Sequence, residues 1–206
     1  MPVHLVSHPV AEDALLTLRD AQTPPIEFRR AARRISTIVL TEALRDVPTE
    51  RRTVQTPLEA AEGGTIAGDV VIVPVLRAGL GMLGGFLELV PQAQVGYFGL
   101  ERDEATAVAR RYYEKVPKDL GGAVVFLLDP MLATGGSAAM AIEGLAGLGA
   151  RGVRLLSIVA APEGLELLRE AAPDARVYTA AIDRGLDGRK FIVPGLGDFG
   201  DRLFGT

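Results

Sequence analysis

The stretch AVVFLLDPMLATGGSAAMAIEGL, Ala123 to Leu145, decides how the rest of this chain is read. An apolar run ends abruptly on Asp129, a short polar turn Ala133-Thr134-Gly135-Gly136-Ser137 follows, and an Ala-rich segment with helical spacing begins. Such a turn can converge its backbone N–H groups at a helix start, where orphan donors and partial positive charge suit a phosphate dianion. The Thr134 and Ser137 hydroxyls add donors, and the glycine pair permits positive φ and close backbone approach. Asp129 would repel a phosphate, but it fits a sugar whose hydroxyls donate to it while the phosphate sits further along the loop. The ligand expected is therefore a ribose 5-phosphate. The plainer alternative, a helix start with a flexible glycine turn, leaves the order Asp, Thr, Gly, Gly, Ser without a reason.

Around this segment the chain reads as alternating strands and helices. Apolar runs at Val70–Leu76, Gln94–Leu100, Ala123–Asp129, Val153–Val159 and Arg176–Ile182 carry almost no polar positions, as strands buried on both faces do. Helix-like segments at Leu80–Leu89, Ala138–Leu148 and Glu163–Ala172 lie between them, which points to an α/β fold with a mostly parallel sheet. Residues 11–20 and 26–44 have helical spacing, the second opened by Thr23 as N-cap with Pro24 and Pro25 behind it. Residues 51–69 predict a hairpin or arm around Gly63-Gly64. Residues 101–121 form a charged insertion of the kind that makes lids. The tail from Asp183 to Thr206 is rich in Gly and Pro yet apolar, and predicts an ordered loop.

Composition narrows the classes. At 206 residues, with 48% hydrophobic residues and a formal charge of −4, the chain suits one domain with a sizeable core and disfavours nucleic-acid partners. Cysteine is absent, so disulfides and thiolate metal sites are excluded, and His4 and His8 alone make no zinc site. No long apolar run predicts a membrane span, and the N-terminus does not resemble a secretory signal, so a cytoplasmic protein is expected.

Two other glycine patterns compete for a nucleotide. Gly79-Leu80-Gly81-Met82-Leu83-Gly84 matches G-x-G-x-x-G between a strand and a helix, with Glu101 at a distance suited to a ribose, as in a nicotinamide-dependent oxidoreductase. Against it, Leu76-Arg77-Ala78 delays the turn, and Arg77 crowds the approach of a diphosphate. Gly195-Leu196-Gly197-Asp198-Phe199-Gly200 matches the same pattern with no helix expected after it.

VVFLLDPMLATGGS resembles the diphosphoribosyl signature of type I phosphoribosyltransferases. Together with VPVLRAGLGM (73–82), RDE (102–104) and IVPGLGDFGDR (192–202), it is similar to the uracil phosphoribosyltransferase family, and the likeness extends to SHPV (7–10) and DRLFGT (201–206). The resemblance implies the type I phosphoribosyltransferase fold, a central sheet flanked by helices, as a single domain over 1–206. Its core would span about 70–182, with a hood from about 1–20 and 183–206, a β-arm, and a lid at about 101–118. It implies transfer of the 5-phosphoribosyl group of 5-phospho-α-D-ribose 1-diphosphate (PRPP) to uracil, giving UMP and diphosphate in pyrimidine salvage. Arg77 and Arg102 would contact the diphosphoribosyl ligand. Asp129, Pro130, Met131, Leu132, Ala133, Thr134, Gly135, Gly136 and Ser137 would cradle its ribose and 5′-phosphate. Asp198 would lie near the ribose and a Mg²⁺ held through the substrate diphosphate, and Ile192, Gly197, Asp198 and Phe199 would meet the base. A homodimer or higher homo-oligomer is implied, with the 51–69 arm as a contact, and GTP activates some members of the family.

Three departures stand out: Phe199 where the family commonly has Ala, Glu101 where Tyr is frequent, and Arg184 where Glu is common. Phe199 would either close the base pocket or turn its ring outward. Arg189 and Lys190 keep orotate open as a base, since either could meet a carboxylate. An RNA-binding pyrimidine sensor on the same fold would need a basic face, which this acidic chain does not announce.

Overall fold

The computed structural model describes residues 1–102 and 109–206, without the side chains of 101, 102 and 109. The insertion residues 103–108 and the Arg102 side chain therefore lie outside the described part. In chain order the elements are β1 (Val3–Leu5), α1 (Pro9–Arg19), α2 (Pro25–Ala43), β2 (Thr49–Gln55), β3 (Ala60–Ile66), β4 (Val70–Leu76) and α3 (Leu80–Leu89). Then come β5 (Gln94–Val95), β6 (Tyr97–Arg102), β7 (Ala109–Lys115), β8 (Val124–Leu128), β9 (Met131–Leu132), α4 (Gly136–Gly147) and β10 (Arg154–Ala160). The chain ends with α5 (Pro162–Ala171), β11 (Arg176–Ile182), β12 (Gly185–Leu186), β13 (Ile192–Val193) and α6 (Phe199–Phe204).

The main sheet runs β1-β11-β10-β8-β4-β6-β7, with β5 beside β4 and β9 beside β10. Every pairing in it is parallel except β6 with β7. The apolar runs work as the doubly covered strands they resemble. In β4, Val70 and Ile72 face one layer while Val71, Val73 and Val75 face the other, and in β8 Phe126 and Leu128 oppose Val125 and Leu127. The first layer is made by α1, α2, α3 and α6, through Leu18, Phe28, Ile35, Phe86 and Phe199; the second by α4 and α5, through Ile142, Leu145 and Leu168. Burying a side chain of this size is worth about 1.5–3 kcal/mol relative to exposing it, so these two layers carry the fold. Among the described residues no helix is long and apolar enough to cross a membrane.

The structure redraws several local expectations. The arm is a hairpin, β2 with β3, but its turn is Thr56–Glu59, and Gly63 and Gly64 lie within β3 opposite Arg52 and Arg51. The Thr56 hydroxyl accepts the Leu58 and Glu59 amides there at 3.2 and 3.1 Å, so a Thr-Pro start outcompetes the glycine pair as the turn signal. Thr23 does not cap α2: the cap position is Pro24, and the Thr23 hydroxyl donates back to Thr17 O at 2.6 Å. Part of the charged insertion is regular, since β7 extends the sheet edge with Arg110, Arg111 and Tyr113 paired against β6. The tail carries the β12–β13 pair and α6, so the second G-x-G-x-x-G is followed by a helix after all, of six residues. Residues 3–5 join the sheet at its edge beside β11.

Candidate functional site

In an open parallel sheet, ligands settle at the carboxyl ends of strands where the connections depart in opposite directions. Here that point is between β4 and β8. From β4 the chain leaves through α3 in one layer towards β6, and from β8 through α4 in the other towards β10. A cleft of about 230 Å³ opens there, lined by Val75 and Leu76, by Leu100, and by the run from Asp129 to Ala138.

The floor is built by a controlled break in pairing. Leu128 faces Leu156 and Met131 faces Val159, so the register with β10 is kept across Asp129-Pro130. Pro130 offers no N–H, and its carbonyl instead accepts from the Ile158 and Val159 amides at 3.0 and 3.1 Å. Ser157 Oγ donates to Asp129 O at 2.7 Å. These bonds fix the half-buried Asp129 carboxylate at the cleft floor. Burial, the larger effect, pushes its pKa up to about 6, against the hydrogen bond from the Met131 amide that pulls it down. A carboxylate so placed can accept hydrogen bonds from hydroxyl groups entering the cleft.

The turn then enters α4. Gly135 caps it with φ +84°, and a Cβ there would approach Gly164 O within 2.8 Å, so both conformation and packing demand glycine. Gly136 is already helical, so only one of the pair uses the left-handed region. The first helical bond is donated by Ala139 to Gly135 O, which leaves the amides of 136–138 pointing out of the helix start beside Asp129. Gly164, in the first turn of α5, escaped the sequence reading; its signal was a glycine inside an otherwise regular helical segment.

Arg77 follows β4, after a cis Leu76–Arg77 peptide. Its guanidinium is exposed, bonded to Asp201 Oδ1 at 3.2 Å and stacked over Phe204 at 5.5 Å, so it rests on α6 and does not line the cleft, whose wall ends at Leu76. Gly79 and Gly81 explain the glycine pattern of α3 without a dinucleotide. A Cβ on Gly79 would come within 2.7 Å of Val75 N, and one on Gly81 within 2.9 Å of Phe199 and Leu203. The glycines that a diphosphate would approach are occupied by the protein's own strand and C-terminal helix.

The C-terminal loop is shaped by backbone demands. Val193–Pro194 is cis, Gly195 has φ +61° with its Cβ position overlapping Ile192 O, and Gly197 has φ +79°. Ile192 is buried, while Gly197 and Asp198 are exposed, and the Asp198 side chain caps α6 by accepting the Asp201 amide at 2.9 Å. Phe199 does not turn its ring outward. Its ring is buried edge-to-face on Phe28 at 5.2 Å, because α6 is amphipathic and turns that position into the core. Arg189 is exposed in the turn between β12 and β13, 3.9 Å from Asp187.

Three further residues went unread in the sequence. Arg19 and Asp183 form a bidentate pair at 2.6 and 2.9 Å, and both also bond Gly195. Burial alone would raise the Asp183 carboxyl, but the Arg19 guanidinium and the Gly195 amide outweigh it and hold the pKa below the usual carboxylate value. Arg202 lies over the Phe28 ring at 4.5 Å and donates to Leu196 O at 2.8 Å, to Asp20 O at 2.5 Å and to Leu18 O.

A family model described as uracil phosphoribosyltransferase matches residues 5–206. A uracil phosphoribosyltransferase of Salinibacter ruber is 48% identical over 204 residues, covering 99% of this chain and 97% of that protein. A solved protein of Aquifex aeolicus superposes with a TM-score of 0.94 at 34% identity, over 98% of this chain and 97% of its own. A hypoxanthine phosphoribosyltransferase of Trypanosoma cruzi shares the fold alone, at a TM-score of 0.51 and 9% identity, over 79% of this chain and 76% of its own.

Proposed function

The chain belongs to the uracil phosphoribosyltransferase family, and from that premise we propose how its residues carry out the transfer of a 5-phosphoribosyl group from PRPP to uracil, giving UMP and diphosphate. The observation that carries the assignment of roles is the placement of Asp129 and the free face of the α4 start in one cleft at the sheet's switch point.

The amides of 136–138 and the Ser137 hydroxyl hold the 5′-phosphate, and Gly135 lets the backbone approach it. Asp129 accepts hydrogen bonds from the ribose hydroxyls, and the apolar wall of Val75, Leu76 and Leu100 limits water at the anomeric carbon. Breaking the anomeric C–O bond builds positive charge on the ribose and negative charge on the diphosphate, so catalysis consists chiefly of cations placed around the leaving group. Arg77 supplies one by leaving Asp201, an exposed pair that holds it by only about 0–1 kcal/mol. Arg102 is proposed as the second. The main chain around Ile192, Gly197, Asp198 and Phe199 reads the acceptor–donor–acceptor edge of uracil. With Phe199 anchored in the core, its backbone rather than its ring serves this purpose.

Among the described residues no cluster of three acids or histidines could cage a metal. The carboxylates of Asp129 and Asp198 are hard oxygen donors suited to Mg²⁺, which binds through one or two carboxylates, water and substrate phosphates. Held by these carboxylates and the substrate, the ion would neutralise charge on the diphosphate. The β2–β3 arm, with every residue of β2 exposed, is proposed as the contact of a homo-oligomer, and GTP as an effector is part of the same proposal. The test is diphosphate release with PRPP and Mg²⁺ across uracil, orotate, cytosine, hypoxanthine and adenine. Turnover confined to uracil supports this reading, and turnover with orotate or a purine instead overturns it.

A further inference from the structure

Asp183 leaves the carboxyl end of β11 with its side chain only 5% exposed, and receives Arg19 from the last turn of α1, 164 residues away. The pair does more than neutralise itself. Asp183 Oδ2 accepts the Gly195 amide at 2.8 Å while Arg19 Nη1 donates to the Gly195 carbonyl at 2.8 Å. Both hydrogen-bonding groups of one glycine are thus held by two opposite charges, which fixes the peptide planes on either side of it. One residue on, Arg202 holds Leu196 O and ties it to Asp20 O at the end of α1.

A buried ion pair is a poor source of net stability, because desolvation offsets most of the attraction. Its geometry here points elsewhere: it acts on the one segment, Ile192 to Phe199, whose backbone shape matters if it reads a base. We propose that Arg19 and Asp183 are positioning residues that set the shape of this loop and thereby the enzyme's affinity and selectivity for the nucleobase. The proposal rests on the base-reading role given to the loop above. Neither residue touches the substrate; each acts through the main chain of Gly195. The side chains of the pair make no hydrogen bond to the sugar-phosphate cleft, which is built on β8, β10 and α4; only the Asp183 main-chain amide reaches β10, donating to Ala160 O at 2.9 Å.

Three proteins test it: Asp183→Asn, Arg19→Lys and the unaltered chain. Asp183→Asn keeps the size and one acceptor but loses the charge-assisted grip. The expected result is a rise of about tenfold in the KM for uracil, the weight of one such bond, with the KM for PRPP within about twofold. The preference for uracil over cytosine narrows in parallel. Arg19→Lys, which keeps the charge but not the fork, lies between the two. Hydrogen exchange, read without substrate, accelerates in peptides covering 192–198 and stays unchanged in α2 and β8. Equal rises in both KM values, or a lower melting temperature with unchanged uracil KM and unchanged exchange at 192–198, overturn the proposal. If Asp183→Asn does not fold, Arg19→Lys carries the same comparison. An unaltered chain that makes no UMP defeats the functional reading, whereas the exchange data still decide whether the pair shapes the loop.

Discussion

In an Asp129→Asn variant the cleft carboxylate gives way to an amide of nearly the same shape, whose oxygen still accepts the Met131 amide. The native carboxyl has its pKa pushed from 3.8 to about 6, chiefly by burial. Each unit is worth about 1.4 kcal/mol, so a shift of roughly two units sets a ceiling of about 3 kcal/mol. Because the residue is partly exposed, about 1–3 kcal/mol is the working range. The sign follows from linkage. Below pH 3.8 both the folded and the unfolded chain hold the proton and nothing is lost. As pH rises through 6 the unfolded chain has already ionised, and the folded one is forced to ionise at a cost. Ionised Asp129 therefore weakens the ligand-free fold at neutral and alkaline pH, and the Asn variant escapes this. At pH 8 it should melt about 2–12 °C above the unaltered chain, given about 2–4 °C per kcal/mol for a domain of this size. At pH 4.5 the gap should shrink to about a third. Activity should move the other way, with kcat/KM for PRPP falling about 100-fold as charge-assisted hydrogen bonds to the ribose are lost. The acid limb near pH 6 in the profile of the unaltered enzyme should vanish. The assay is differential scanning calorimetry at both pH values, paired with diphosphate release. An Asn variant that melts no higher than the unaltered chain at pH 8 refutes the argument that burial without donors penalises the charge.

Other perturbations probe the neighbouring parts. Gly135→Ala forces a side chain into the left-handed region and against Gly164 O, and should cost about 1–3 kcal/mol in urea denaturation while raising the KM for PRPP more than that for uracil. Gly81→Ala intrudes on Phe199 and Leu203 and should displace α6, raising the KM for uracil and lowering stability by about 1–3 kcal/mol, as overpacking does. On the same geometry, millimolar NAD should leave the melting temperature of the unaltered protein unchanged. Chelation should abolish diphosphate release and Mg²⁺ restore it, with no effect on melting in the absence of PRPP; a melting change without substrate would argue for a protein-caged metal.

What could be read from the sequence was what is encoded locally. Asp129 and the turn to Ser137 form a strand, a break and a helix start within about fifteen residues. The charge, the glycine and the helical spacing therefore all speak in one window. The doubly buried strands were legible for the same reason, since burial on both faces writes itself as an unbroken apolar run. The hairpin turn misled because two local signals competed, and a Thr-Pro start with a side-chain acceptor beat a glycine pair that tolerates extended backbone equally well. Phe199 misled for a different reason. Which way a six-residue helix turns its first residue depends on Phe28 and Gly81, more than a hundred positions away.

The same distinction separates the two halves of the site. The half proposed for the sugar and phosphate is a continuous segment whose geometry follows from strand pairing with β10 and from one left-handed glycine, so it needs little from the rest of the chain. The half proposed for the base is a loop with two left-handed glycines, Gly195 and Gly197, and its own residues offer many shapes. Its single shape is imposed by Arg19 and Asp183, and by Arg202 reaching back to the end of α1. Contacts across more than 160 residues leave no spacing pattern to detect, because an arginine at a helix end and an aspartate after a strand are ordinary in isolation. On the base-reading role proposed for this loop, specificity depends on the first helix of the chain staying docked. A perturbation at α1, remote from either substrate, should alter which base is accepted before it alters how the phosphoribosyl donor is held.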